Sequence, residues 1–153
     1  MVAWVVLHLR KAASVLSARQ HILVVEDDPT LRQVIRFKLA KAGFQVDSAD
    51  NGQEALTMLA ERAYDLVVTD EMMPYVTGRQ LCERMQKDLA LCAIPVVMLT
   101  VKALELDPVE LRRNLGVIEL HAKPFSPTVL LRSIERVLDS HGSATRRATA
   151  VLA

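Results

Sequence analysis

Three short runs of branched apolar residues punctuate the chain: Ile22–Val25, Leu66–Val68 and Val96–Leu99. Each is continuous rather than alternating, the pattern of strands covered on both faces and hence of a parallel sheet. Gln45–Ala49 and Val117–His121 predict two further strands with a weaker signal. Between the runs, apolar residues recur at helical spacing. Leu31, Val34, Ile35, Leu39 and Ala42 form one stripe, which Gly43 closes. Ala55, Leu56, Leu59 and Ala63 form a second, and Leu81, Cys82, Met85 and Leu89 a third that follows Gly78. A fourth helix begins at "DPVE", where Asp107 is the predicted cap, Pro108 suits the first turn and Glu110 completes a capping-box pattern. The last begins at Ser126-Pro127 and carries Leu130, Leu131, Ile134, Val137 and Leu138. Strand and helix thus alternate through the chain. That order predicts an α/β domain with a doubly wound, five-stranded parallel sheet, helices on both faces and right-handed crossovers.

A length of 153 residues suits one domain with a substantial core. Residues 20–141 hold every strand and helix of the pattern. Residues 1–19 read as an N-terminal extension, a short extra helix or strand. "MVAWVVLHL" is apolar, but it is too short to span a bilayer and has no positive residue before it, so a signal peptide is not expected. Residues 142–153 include "SATRRATAVLA", which has no strong period and is expected to be a flexible tail. A net charge of +1 gives no electrostatic argument for nucleic acid or an anionic membrane as a partner. Cys82 and Cys92 match neither a disulfide framework nor a zinc spacing and are expected as buried, reduced thiols of a cytoplasmic protein.

In open α/β sheets the ligand crevice lies beyond the carboxyl ends of the strands. There the first strand delivers Glu26, Asp27 and Asp28, the third Asp70, and the fourth Thr100, while the fifth leads to Lys123. Asp28 directly precedes Pro29, the pattern of a helix cap followed by its first residue, so it is assigned to the helix. Two carboxylates about 4 Å apart repel by about 4 kcal/mol at an effective dielectric near 20. Three ionised acids therefore call for a cation, and a hard divalent ion such as Mg2+ prefers oxygen ligands and takes one or two carboxylates. Glu26, Asp27 and Asp70 sum to a charge that one divalent ion and Lys123 would neutralise, leaving room for a phosphoryl group.

The segments "ILVVEDDP", "DLVVTDEMMPYVTG", "PVVMLT" and "HAKPF" resemble, in order, the four blocks of response regulator receiver domains. The resemblance covers about Gln20 to Ser140. It implies a flavodoxin-like sheet of strand order 2-1-3-4-5. It also implies a two-component switch, not an enzyme acting on other molecules, whose phosphoryl group comes from a histidine kinase or phosphotransfer protein. By this resemblance Asp70 is the phosphoacceptor and a metal ligand. Glu26 and Asp27 are the acidic pair, with Asp27 the direct Mg2+ ligand. Met72 offers its backbone carbonyl to the ion, Thr100 turns its hydroxyl to the phosphoryl group, and Lys123 neutralises it ahead of a cis bond to Pro124. The chain reads as a stand-alone receiver without a DNA-binding output of its own, so output is expected through docking on a downstream effector protein, with pairing of two copies through the fourth helix, fifth strand and last helix as one form of it.

Four positions depart from the family's usual pattern. Leu120 stands where many receivers carry an aromatic switch residue, which predicts a blunter response of the output face or another route to it. Val101 replaces a small residue and is expected to narrow the approach to Asp70. Met72 cannot orient an attacking water, which predicts a long-lived acyl phosphate. Thr77 stands for a frequent acid before Gly78. Leu120 and Val101 also suit a phosphorylation-independent scaffold as a second reading. A magnesium-dependent phosphatase with an aspartyl nucleophile would carry a second Asp at the position of Met72, and this chain does not. Glu71 reads as a solvated neighbour of the site, and His121 as a surface or core histidine.

Overall fold

The computed structural model describes the backbone of residues 19–152 and the side chains of residues 19–142. The elements run β1 His21–Val25, α1 Pro29–Lys41, β2 Gln45–Ala49, α2 Gly52–Glu61, β3 Leu66–Asp70, α3 Gly78–Gln86, β4 Val96–Thr100, α4 Pro108–Leu115, β5 Val117–Ala122 and α5 Pro127–Leu152. A short 3-10 turn, Ala103–Glu105, precedes α4. The strands form one sheet of order β2-β1-β3-β4-β5, and each neighbouring pair is parallel. Both the fold class and the strand order agree with the sequence-based expectation.

The continuous apolar runs are explained by the two-sided cover of the sheet. Leu23, Val25, Val67 and Met98 point to one face, where Ala55 and Leu59 of α2, Leu81 and Met85 of α3, and Leu111 and Leu115 of α4 meet them. Ile22, Val24, Leu66, Val68, Val97 and Leu99 point to the other, against Ile35 and Leu39 of α1 and Leu130, Ile134, Val137 and Leu138 of α5. Fully burying each such side chain contributes about 1.5–3 kcal/mol. The weaker β2 and β5 signals belong to the two edges of the sheet, where one side of each strand has no neighbour and burial is partial.

Caps fix where the helices start. The Asp28 carboxylate accepts from the Thr30 and Leu31 N–H groups, so this acid serves the helix, as its position before Pro29 predicts. Asp107 accepts from the Val109 N–H, but no capping box forms with Glu110, whose carboxylate instead lies 3.8 Å from the Arg79 guanidinium. The reciprocal capping box occurs at Thr77 and Gln80, at the start of α3. Gly116 ends α4 in the left-handed conformation at φ 67°.

The helix stripes differ from expectation at their ends. α1 stops at Lys41, so Ala42 is its cap, and Val34 lies half-exposed at the border of the stripe. α3 stops at Gln86, and Leu89, placed in its stripe by periodicity, is 96% exposed. The Asp88 carboxylate accepts from the Ala90 N–H and turns the chain before Leu89 can pack. α5 continues as helix to Leu152, past Gly142, where a flexible tail was expected. The segment from Ser143 to Leu152 is rich in Ala and Arg, good helix formers, and it contains no proline. The expected helix or strand within residues 1–19 falls almost wholly outside the described residues.

Candidate functional site

Glu26, Asp27 and Asp70 come together because β1 and β3 are neighbours in register, with Val25 opposite Thr69. Each acid offers one carboxylate oxygen, and these oxygens all lie within 4.8 Å of one another. Lys123 reaches the same notch from the loop after β5, where its backbone N–H donates to the Thr100 carbonyl at 2.8 Å. Its Nζ donates to Glu26 Oε2 at 2.9 Å and stands 3.0 Å from Asp70 Oδ2. The Lys123-Pro124 bond is cis.

Glu26 is only 1% exposed, whereas Asp27 faces solvent and Asp70 is buried at the floor. Burial pushes the Glu26 carboxyl up to about 7, against the opposing hydrogen bonds from Lys123 and from the Asp28 N–H at 3.1 Å; repulsion by Asp70 adds to the rise. Burial also acts against the Lys123 ammonium, but its hydrogen bonds to Glu26 and Asp70 prevail and hold its pKa above the ordinary lysine value. The ammonium therefore stays charged and bridges the two buried acids. A carboxylate cluster of this density, with an exposed acid at its mouth and one buried acid only partly neutralised, has the donor set and charge that fit Mg2+.

The loop after β3 closes one wall. Asp70 Oδ1 accepts from the Met72 N–H at 3.4 Å, and the Met72 side chain lies half-exposed at the rim. Gly78 returns the chain against the strand end, and its N–H donates to the Glu71 carbonyl at 2.8 Å. A Cβ on Gly78 would collide with the Asp70 carbonyl oxygen, so only glycine fits there.

Thr100 sits at the end of β4, buried, but its hydroxyl does not bond to Asp70. It donates to the Glu71 carboxylate and accepts from the Lys102 N–H at 2.9 Å. Glu71 is thus a buried residue, 9% exposed, and not the solvated neighbour expected from sequence. The physical reason is that pairing with β4 continues one residue past Asp70: the Glu71 N–H donates to the Leu99 carbonyl at 2.9 Å, which turns its side chain towards Thr100. An acid directly after a fully buried strand was the signal available for it. Val101 is 69% exposed on the loop beside Thr100. Leu120 is partly buried against the core between the sheet and the second to fourth helices. His121 is partly buried on β5, and burial lowers its pKa. Both cysteines are free thiols, Cys82 buried and Cys92 only partly so.

The profile of the response regulator receiver domain matches residues 22–135. The phosphate regulon transcriptional regulatory protein PhoB of Pseudomonas aeruginosa is 33% identical over 121 residues, which make up 79% of this chain and 52% of that protein. A probable transcriptional regulator, ycf27, of Cyanidium caldarium is 34% identical over 120 residues, 78% of this chain and 47% of its own length. The chain thus spans about half the length of these curated relatives. Among solved structures, the chemotaxis response regulator CheY4 of Vibrio cholerae superimposes with a TM-score of 0.71 at 28% identity, over 78% of this chain and 99% of that one. No helix among the described residues is long and apolar enough to cross a membrane. The matched span runs from the first strand into the last helix and takes in all the loops around the acidic notch, so the chain belongs to the response regulator receiver domain family.

Proposed function

We propose that this domain is a phosphorylation-controlled switch that accepts a phosphoryl group on Asp70 from a phosphohistidine of a histidine kinase or phosphotransfer protein. The observation that carries this reading is the position of Asp70, a buried carboxylate 3.0 Å from the Lys123 ammonium and within reach of two further acids. An Asp70 oxygen attacks the phosphorus, the phosphorus–nitrogen bond of the donor breaks, and its electron pair leaves with the imidazole. Asp70 is the nucleophile, and the product is an acyl phosphate. Lys123 neutralises charge on the incoming group. The Met72 N–H, already aimed at Asp70, remains close to a phosphoryl oxygen bound there. Phosphoryl transfer needs little else than such positioning and charge stabilisation.

Glu26, Asp27, Asp70 and the Met72 carbonyl are the groups that would hold Mg2+. When bound, the ion supplies Lewis-acid stabilisation of phosphoryl oxygens. Asp27 is the exposed member and the direct ligand in this reading, while Glu26 lies deeper and shares its charge with Lys123. Output runs through protein contacts of the receiver surface, either to a downstream effector or between two copies across α4, β5 and α5. The near-neutral charge gives no electrostatic argument for a direct hold on nucleic acid.

Transfer from a panel of phosphorylated kinases and phosphotransfer proteins tests the proposal. Wild type takes up label in the presence of Mg2+, and Asp70→Asn takes up none. Equal labelling of the two proteins would refute the assignment.

A further inference from the structure

Glu71 is a buried carboxylate that forms no ion pair among the described residues, and its side chain has one hydrogen-bond donor there, the Thr100 hydroxyl. Thr100 in turn has one proton to give. In the resting molecule that proton goes to Glu71, and the hydroxyl oxygen is held from the other side by the Lys102 N–H at 2.9 Å. A phosphoryl group on Asp70 would present a second anionic acceptor at the end of the neighbouring strand. The hydroxyl cannot serve both.

We propose that Glu71 is a positioning residue that latches the Thr100 hydroxyl in the resting state and has to release it when Asp70 carries a phosphoryl group. This rests on the reading of Asp70 as phosphoacceptor and extends it to a residue that faces neither metal nor donor. Release leaves the Glu71 carboxylate buried without its donor, which is unfavourable until the side chain moves. Its backbone is tied to both flanking elements, accepting from Gly78 at 2.8 Å and donating to Leu99 at 2.9 Å. The change is therefore passed to the loop between β3 and α3, Glu71 to Thr77. That gives the switch a route that does not pass through Leu120, which has no polar tip with which to follow Thr100.

The test is a double-mutant cycle on Glu71 and Thr100, read as affinity for beryllium fluoride in Mg2+. Glu71→Ala removes the competing acceptor and tightens binding on the order of tenfold, the scale of a hydrogen bond to a charged group. Glu71→Gln keeps the shape and a weaker acceptor and gives a smaller gain. In a Thr100→Val background, Glu71→Ala leaves only the part due to lost negative charge. Equal gains in both backgrounds, or weaker binding by Glu71→Gln with unchanged melting, would overturn the latch.

A second measurement does not depend on Asp70 chemistry. In the metal-free protein the Lys102 amide and the Thr100 methyl and hydroxyl resonances report the latch directly. Glu71→Gln shifts them and speeds exchange of the hydroxyl proton; unchanged resonances would dismiss the latch even if no phosphoryl mimic binds. Failure of wild type to bind beryllium fluoride, with the resonance changes present, would instead count against the Asp70 reading alone.

Discussion

Burial and charge conflict most sharply at Glu26, and the conflict has a sign that can be measured. Its carboxyl sits at about 7 in the folded protein and at 4.5 without the fold's influence. The folded state therefore holds this proton more tightly, so Glu26 contributes stability below pH 4.5 that is lost as the pH rises through about 7. Metal binding needs the deprotonated form and reverses the trend. Mg2+ affinity is thus expected to rise from pH 6 to pH 8 by on the order of tenfold, with proton release visible as a buffer-dependent heat in calorimetry. In Glu26→Gln both the proton release and most of that pH dependence disappear; a profile unchanged by the substitution would remove Glu26 from the account.

Two neighbours are expected to set the tempo. Val101 stands exposed on the loop beside Thr100, and its branched bulk is expected to narrow the approach to Asp70. Val101→Ala is expected to accelerate phosphorylation by small donors several-fold, on the order of what a modest misplacement of reactants costs. The Met72 side chain has no polar group with which to orient water, so the acyl phosphate is expected to be long-lived, and Met72→Asn to shorten its life. Decay followed by loss of label checks this, and a lifetime of seconds in wild type would contradict it. Glu71 shows why some of the site could not be read in advance. Which way the residue after a strand points depends on how far the neighbouring ladder extends, and that is settled by register, not composition.

At the scale of elements, the site depends on loops that begin and end sharply. Asp28→Ala removes the acceptor for two N–H groups of α1 and is expected to cost about 1 kcal/mol in denaturant unfolding. Gly78→Ala places a methyl against the Asp70 carbonyl and is expected to cost more, roughly 1–3 kcal/mol as for other overpacked sites, with a loss of phosphorylation beyond the loss of fold. The central strands and the cap at Asp28 were legible because each follows from local chemistry: uninterrupted apolar residues, or an acid before proline. Leu89 was not, because its periodicity is perfect and only the Asp88 turn takes it away from the core. The same holds for Gly142, since glycine terminates a helix only when its backbone turns left-handed, as Gly116 does and Gly142 does not.

At the scale of the molecule, the sheet acts as a frame that gathers four distant segments at the carboxyl ends of its strands. Glu26 and Lys123 are 97 residues apart in sequence and 2.9 Å apart in space. The strand order was open to inference only through the resemblance of the four blocks, because alternation alone permits several doubly wound orders. The acidic notch itself followed from where parallel strands end. Its central claim is that Asp70 is the residue modified. Borohydride reduction after incubation with a phosphohistidine donor converts an aspartyl phosphate into homoserine, which mass spectrometry of peptides can place. The account predicts homoserine at position 70, and only when Mg2+ was present; conversion at Asp27 instead, or at no position, would contradict it.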